Sequence, residues 1–460
     1  MSEGTSFDVI IIGTGQAGVP LATRLAAAGK RVLIAERGRP GGTCVNAGCT
    51  PTKTLVASAR VAHVARSAAR FGVRTGEVSL DFAKVMEREH AIVKRWREGV
   101  EKRLASAGEK LRFERGHARF VGARTIEVNG ARFSAENVVI NVGARPARPS
   151  LAGLREVPDL TSTGMLELSA LPRHLLVLGA GYIACEFGQM FRRFGAEVTL
   201  SAPSTRLLSR EDPAASDALR GVFESEGIRL ELGKRAERVS RVGDEIELAL
   251  ADGTKLRGSH LLLATGRTPN THDLGCETAG VKLDDDGKVI VGERYETSAH
   301  GVFAVGDSTP GPQFTHVAWD DHRVLFDILS GNPARARSER VVPYAVFTDP
   351  QVAGVGITEA QAKERGIAYE AASMPFGNIA RAIETDETAG VVKVLIDPET
   401  EHFLGVSIVG ADAGELIHVF SVLMQAKVSA RAIVEGEFVH PTFGEGLQSA
   451  VMTLPRYKLS

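Results

Sequence analysis

The sequence predicts an α/β protein with two βαβ-based domains, each built on a parallel sheet, and a separate α+β unit over the last third of the chain. Three observations predict it. A short apolar run rich in β-formers at residues 7–12 leads into a glycine-rich turn, an Ala/Leu-rich helical stretch to about residue 28 and a second strand at 30–36. The same order restarts further on, with a strand at 175–178, a turn at 179–184, a helix at 183–194 and a strand at 197–200. Beyond a linker at 331–340, which holds Pro333 and alternating Ala and Arg, the pattern changes to strands at 341–347 and 391–396 and helices at 413–426 and 443–453. The βαβ order implies parallel strands with helices on both faces.

The intervening elements follow the same reading. Residues 57–70 and 82–107 are helical in pattern and rich in Ala and Arg. Residues 111–140 form short strands broken by Gly116, Gly122 and Asn129-Gly130, and a strand at 137–142 ends at Gly143. The second βαβ unit closes with a strand at 261–264 and the turn Thr265-Gly266-Arg267. One more strand at 302–305 ends in Gly306-Asp307, and a helix spans about 317–329. A chain of 460 residues exceeds what one core usually organises, about 250–300. The expected domains are 1–145 with 265–335, then 146–264, then 336–460.

Composition excludes several classes. A net charge of −1 supplies no field to recruit nucleic acid or an anionic membrane. No apolar run approaches the ~18 residues of a spanning helix. The N-terminal residues lack a basic segment followed by an apolar core, so the expected location is cytoplasmic. Four cysteines, Cys44, Cys49, Cys185 and Cys276, are too few for a secreted disulfide scaffold. A zinc site needs about four suitably spaced ligands, and no second cysteine pair or histidine cluster supplies them, so no metal site is expected. Cys44 and Cys49 therefore read as a redox pair. Cys185 reads as core, Cys276 as a bystander in a polar turn, and Trp96 and Trp319 as packing residues. Asp284-Asp285-Asp286-Gly287 reads as a turn, since it lacks the downstream Glu of a calcium loop.

Gly13-Thr14-Gly15-Gln16-Ala17-Gly18 fits G-x-G-x-x-G between a strand and a helix. Gly13 makes the tight turn, Gly15 lets backbone approach a pyrophosphate, and Gly18 lets helix pack on strand. The helix N-terminus offers free N–H groups to the phosphates. Glu36, at the end of the second strand, is placed to accept from ribose hydroxyls. Gly179-Ala180-Gly181-Tyr182-Ile183-Ala184 is a second such cradle with Ala in the third position. Its second strand lacks the acid, having Ser201 where a carboxylate is expected and Arg206 shortly after. Hydroxyls and an arginine tolerate a 2′-phosphate, which favours NADPH while leaving NADH possible. The two halves thus read as Rossmann-like nucleotide-binding domains.

The stretch Gly41-Gly42-Thr43-Cys44-Val45-Asn46-Ala47-Gly48-Cys49-Thr50-Pro51-Thr52-Lys53 is the most informative. Gly48 gives the backbone freedom to close a small disulfide loop. Pro51 suits the first turn of a helix, so Cys49 sits at a positive helix end that favours thiolate, with Lys53 a turn later. This stretch resembles the active-site motif of the class I flavoprotein disulfide reductases, such as glutathione reductase, lipoamide dehydrogenase and mercuric reductase. The resemblance covers nearly the whole chain, including both cradles, the turn at 265–270, residues 302–307, and His440-Pro441-Thr442 followed by Glu445. The Thr-Pro-Thr-Lys ending, Phe314-Thr315-His316 and Phe347-Thr348-Asp349-Pro350-Gln351 look most like the mercuric-reductase-like branch.

The resemblance implies FAD in the first cradle, with Gly42, Thr43, Lys53, Gly143 and Asp307 also at the cofactor. It implies NAD(P)H in the second, with Ile183, Glu186 and Gly266. It makes the last third a dimerisation domain of a homodimer. It implies that Cys49 is the thiolate nearest the flavin and Cys44 the thiol that attacks substrate. Tyr182 matches a ring covering the flavin until nicotinamide enters, and Lys53 and Glu186 match a pair positioning flavin and nicotinamide. His440 and Glu445 match an acid–base dyad reaching the other subunit's cysteines, since imidazole titrates near neutrality. His316 is a candidate for a minor role near the ribityl segment.

The expected acceptor is a small-molecule disulfide. Mercuric reductases carry a second cysteine pair near the C-terminus and a tyrosine where this chain has His440; here no cysteine follows Cys276, and an N-terminal metal-binding domain is not expected. Reduction of mercuric ion, another metal or a quinone by the same centre is the alternative, with dihydrolipoamide dehydrogenase ranked lower for want of an acid at Ser201. A redox-sensing flavoprotein has no need of the His440–Glu445 dyad.

Overall fold

The computed structural model describes residues 6–458 and divides into two compact units. The first comprises the described residues up to Leu55, Ala83–Ala147 and Gly266–Arg340; the second comprises Val56–Phe82, Arg148–Thr265 and the described residues from Val341 onward.

The first unit is organised by one sheet, in the order Leu111–Arg115, Val32–Glu36, Ser6–Ile12, Ala131–Ile140, Thr125–Val128, Ala118–Gly122, with Val302–Ala304 also paired to Ala131–Ile140. The strands around Ser6–Ile12 are parallel. Ala131–Ile140 serves two partners, running parallel to Ser6–Ile12 along its second half and antiparallel to Thr125–Val128 along its first. That hairpin turns on Asn129-Gly130, both with positive φ (50° and 82°), the backbone that a two-residue primed turn requires.

Helix Gly18–Ala27 covers one face of the sheet, where Val9, Ile11, Ile34 and Val139 pack with Leu21 and Leu25. Ile10, Ile12, Leu33, Val138 and Ile140 fill the other face. A parallel strand buried on both sides needs apolar residues at every position, which is why residues 9–12 do not alternate. Each such side chain contributes about 1.5–3 kcal/mol by leaving water.

The second unit contains a four-stranded parallel sheet, in the order Arg229–Leu232, Glu197–Ala202, His174–Leu178, His260–Leu263. A three-stranded antiparallel sheet (Ala236–Val242, Glu245–Leu250, Lys255–Gly258) packs on it through Leu176, Leu178, Leu248 and Leu261. Its C-terminal part is a five-stranded antiparallel sheet, ordered Tyr344–Val346, Gln351–Gly356, Phe403–Gly410, Val391–Ile396, Glu370–Pro375. Helices Ala413–Gln425 and Phe443–Met452 bury Ile417, Phe420, Leu447 and Val451 against Val394 and Ile408. The architecture is the mixed α/β one expected.

Several local expectations need correction. The strand expected from 341 is shorter, Tyr344–Val346, since Pro343 has no N–H for the ladder. The helix expected from 57 begins at Cys49. Cys276 opens the short turn Cys276–Ala279 but is not in polar surroundings: it is 2% exposed in the apolar core, and burial pushes its thiol up to about 11. Trp319 packs edge-on to His322 as a packing residue would, though it is 44% exposed, and Trp96 is 59% exposed. Cys185 is fully buried, as expected. No helix among the described residues is long and apolar enough to cross a membrane.

Ile11→Ala should destabilise the protein by about 2–5 kcal/mol, because the cavity opens in a sheet covered on both faces. Urea unfolding reads this as a lowered midpoint; an unchanged midpoint would contradict the two-sided burial.

Candidate active site

The first cradle is made by close backbone approach. Gly13 has φ +108°, and a Cβ there would lie 2.3 Å from the Asn141 carbonyl oxygen; one on Gly18 would lie 2.1 Å from the Gly13 oxygen. Asn141, which is buried, donates its side-chain amide to the Gly13 carbonyl at 3.1 Å. Glu36 ends the second strand with one carboxylate oxygen accepting from both the Thr14 N–H (2.9 Å) and hydroxyl (2.7 Å), and the other from the Gly38 N–H (2.8 Å). The acid thus braces the loop and retains lone pairs for a further donor.

The cysteine helix is tied to this cradle. The Gly41 N–H donates to the Thr14 hydroxyl at 3.2 Å, and Gln16 Nε2 donates to the Gly41 carbonyl at 3.3 Å. Gly42 (φ +63°) sits so close that a Cβ on it would be 2.8 Å from Gly15 Cα. The short helix Gly42–Ala47 carries Thr43, which is exposed, and Cys44, which is half-buried. Gly48 breaks it, and Cys49 opens the next helix, Cys49–Ser67, with Pro51 and half-buried Lys53 in the turns that follow.

Cys49 is exposed and Cys44 half-buried. A hydrogen bond with Cys49 and burial push the Cys44 thiol up. The Thr315 hydroxyl, on the first residue of helix Thr315–Leu329, lies 3.1 Å from Cys49 Sγ and also bonds Cys44. Sequence reasoning noticed Phe314-Thr315-His316 but singled out His316. The His316 ring is exposed and stacks on Phe314 at 5.4 Å, while the threonine reaches the sulfurs. Its signal is a hydroxyl residue opening a helix.

Asp307 lies in the turn Gly306–Ser308; burial pushes its carboxyl up, opposed by Arg267 at 3.5 Å. Arg267 is a further residue that motif reasoning passed over. Its Nη2 donates to the Ala144 carbonyl at 2.6 Å, where strand Arg267–Pro269 pairs with strand Ala144–Pro146 next to Gly143. Its Nε is buried with no hydrogen-bond partner among the described residues. A buried guanidinium left with a spare donor fits a polar or anionic group alongside. The glycine cradle, the Glu36 acid and this spare donor together fit a dinucleotide in the first unit.

The second cradle repeats the device. Gly179 has φ +137°, and a Cβ would lie 2.3 Å from the Ala264 oxygen, just before the Thr265-Gly266 turn. Gly181 precedes helix Tyr182–Phe194, on which Tyr182 is 37% exposed, Ile183 half-buried and Glu186 3% exposed. Register corrects the position of the missing acid. Gly13 N–H donates to Ala35, so Glu36 is the next residue; Gly179 N–H donates to Ser201, so its counterpart is Ala202. Ser201 itself is 1% exposed, facing inward along the strand. Neither residue is acidic, and Arg206 is exposed in the following loop.

His440 Nδ1 lies 2.8 and 3.0 Å from the two Glu445 oxygens. A carboxylate can only accept here, so Nδ1 carries the proton and Nε2 is left to accept. Thr442 caps helix Phe443–Met452 through the Glu445 N–H at 3.1 Å, which sets the carboxylate in the first turn beside the ring. His440 is 66% exposed. Among the described residues, no group of three or more His, Cys, Asp or Glu is arranged to hold a metal ion.

Thr315→Val should slow alkylation of Cys49 in the reduced protein by about three- to ten-fold at neutral pH, the worth of one hydrogen bond to a thiolate. Iodoacetamide labelling followed by peptide mapping measures it; an unchanged rate would mean that the hydroxyl does not stabilise the anion.

Residues 7–321 match the pyridine nucleotide-disulphide oxidoreductase family, and residues 342–451 match the dimerisation domain of that family. The mercuric reductase of Lysinibacillus sphaericus is 36% identical over 99% of this chain and 84% of its own length. The probable pyridine nucleotide-disulfide oxidoreductase RclA of Escherichia coli is 33% identical, covering 96% and 98%. The dihydrolipoyl dehydrogenase of Thermus scotoductus is 35% identical, covering 98% and 97%. A solved structure of a Cu(II) complex of the HOCl-induced flavoprotein disulfide reductase RclA from Escherichia coli superposes with a TM-score of 0.89 at 33% identity, over 97% of this chain and 99% of that one. On this likeness of sequence and fold over nearly its whole length, the chain belongs to the class I pyridine nucleotide-disulfide oxidoreductases, a family of FAD-dependent enzymes.

Proposed function

We propose that the protein is an NADPH-dependent reductase of a small disulfide, with Cys44 and Cys49 as its redox pair. The observation that carries the proposal is the placement of Cys49 at the head of helix Cys49–Ser67, beside the Thr315 hydroxyl and in the same unit as the first glycine cradle. In this reading Gly13, Gly15, Gly18, Glu36, Gly42, Thr43, Lys53, Gly143 and Asp307 hold FAD. When bound, FAD supplies the two-electron link between reduced nicotinamide and the cysteine pair. Gly179, Gly181, Ile183, Glu186, Arg206 and Gly266 hold the nicotinamide nucleotide, and Tyr182 covers the flavin until it arrives. The lack of a carboxylate at Ala202 supports NADPH over NADH, because an acid there repels a 2′-phosphate.

The thiol chemistry follows from the side chains. Cys44 passes its proton to His440 Nε2, and the resulting thiolate attacks one sulfur of the substrate, forming a mixed disulfide and expelling a thiolate that takes that proton back from Nε2. Cys49 then attacks Cys44 Sγ, releasing the second thiolate and restoring the Cys44–Cys49 disulfide. Two electrons leave the pair, and one NADPH replaces them. Glu445 holds the ring and stabilises the imidazolium. His440 is exposed on its own chain, which supports its acting on the other subunit's cysteines in a homodimer. A cysteine-poor chain without the makings of a disulfide scaffold supports a cytoplasmic location.

A second reading, reduction of a metal ion by the same pair, is favoured by the mercuric reductases among the relatives and by the Cu(II) complex of RclA. One screen separates the two: anaerobic consumption of NADPH and NADH against low-molecular-weight disulfides, Hg(II), Cu(II) and quinones. The expected result is turnover of a disulfide with NADPH preferred, and a fall of at least about 100-fold in His440→Gln. Turnover confined to metal ions and indifferent to His440→Gln would overturn the disulfide reading.

A further inference from the structure

Helix Tyr182–Phe194 presents a row of polar side chains that a core-facing helix does not need. Glu186, Gln189 and Arg193 follow i, i+3, i+7 spacing and so share one face. They are 3%, 3% and 7% exposed. All three bind the same short segment. Glu186 Oε1 accepts the Phe347 N–H at 2.8 Å. Gln189 takes Asp349 in both directions, its Oε1 accepting the backbone N–H at 2.8 Å and its Nε2 donating to the carbonyl at 2.6 Å. Arg193 Nη1 donates to the Asp349 carboxylate at 2.7 Å. The segment is further closed by the Thr348 hydroxyl donating to the Pro350 carbonyl at 2.8 Å.

The clamp is braced from outside. Glu226 accepts from Arg193 at 2.6 and 3.1 Å and from Gln189 Nε2 at 3.0 Å, which locks both side chains. Arg60 donates to Asp349 at 2.8 Å. Burial works to raise the Asp349 carboxyl, but Arg193 and Arg60 outweigh it and hold the group below the usual carboxylate range, so the clamp stays charged at neutral pH. Buried ion networks of this kind are poor stabilisers compared with apolar packing of equal volume. What they supply is a single geometry.

We infer that Gln189, Arg193 and Asp349 are positioning residues that hold the Phe347 backbone N–H against Glu186, and so fix the Glu186 carboxylate for the nicotinamide half of the reaction. This rests on the reading of Glu186 under the proposed function. None of the three needs to touch the nucleotide. They act through the backbone hydrogen bond from Phe347, which restrains the Glu186 carboxylate.

The test uses the flavin-loaded full-length enzyme and the variants Gln189→Ala, Glu186→Gln and the double variant. Three quantities are read: the single-turnover rate of flavin reduction by NADPH, the rate of reoxidation of the two-electron-reduced enzyme by its acceptor, and hydrogen exchange of the peptide spanning residues 344–351. Gln189→Ala should slow flavin reduction about ten-fold or more, since small misplacements of a reacting group cost that much. Reoxidation should stay within about two-fold, and exchange should rise in residues 344–351 only. The double variant should be no slower in flavin reduction than Glu186→Gln. Equal slowing of both half-reactions, with exchange raised across the unit, would show a merely structural role and overturn the inference. Normal flavin reduction in Gln189→Ala, when Glu186→Gln is slow, would overturn the clamp itself. Normal reduction in Glu186→Gln would instead overturn it through the reading of Glu186, and exchange at residues 344–351 would still report whether Gln189 restrains the segment.

Discussion

The arrangement depends on one backbone-to-backbone contact, that between Gly15 and Gly42. A methyl group on Gly42 would lie 2.8 Å from Gly15 Cα, so the glycine cradle and the cysteine helix touch where neither has a side chain. Everything chemical in the first unit follows from that closeness. The cradle positions a pyrophosphate by its N–H groups and helix end. Gly42 itself begins the short helix that carries Cys44, and Gly48 then turns the chain so that Cys49 starts the long one. A cradle shaped for a dinucleotide and a thiol at a positive helix end therefore both follow from a single packing choice. The hydrogen bonds from Gly41 to Thr14 and from Gln16 to Gly41 keep that choice from slipping.

Electrostatics then divides the labour between the sulfurs. Cys49 is exposed, opens a helix and faces a hydroxyl; Cys44 is more buried, and its thiol is pushed up by its hydrogen bond with Cys49. An anion on Cys49 with a proton kept on Cys44 is the distribution this geometry favours, and it suits a pair in which one sulfur receives electrons and the other meets substrate. The second unit holds the other two features that the proposed chemistry calls on. One is a second cradle whose acid position is Ala202. The other is an imidazole whose Nδ1 is occupied by Glu445 and whose Nε2 is open.

Much of this was legible in the residues because it rests on local rules. The glycine spacing, Pro51 in the first helical turn, the Asn129-Gly130 hairpin and the unbroken apolar run at residues 9–12 each have a local physical cause. What was not legible depends on long-range approach. Asn141 lies far along the chain from Gly13, and only the fold brings its amide to the cradle. Arg267 reads as an ordinary charge until its burial leaves Nε without a partner among the described residues. Thr315 and His316 are adjacent in sequence, and helix phase alone decides which reaches the sulfurs. Sequence alone puts the acid position at Ser201 because strand ends are uncertain by a residue in sequence, whereas the hydrogen bond from Gly179 counts them directly. Cys276 and the two tryptophans show the same limit, since burial is a property of the packed chain.

The central claim is that Cys49 is the sulfur in electronic contact with the bound flavin and Cys44 the one that meets substrate. Anaerobic two-electron reduction followed by visible spectroscopy tests it most directly. The account predicts a long-wavelength thiolate–flavin absorption band in the unmodified protein, retained in Cys44→Ser and lost in Cys49→Ser. A band retained in Cys49→Ser and lost in Cys44→Ser would reverse the roles, and no band in the unmodified protein would contradict the relay altogether.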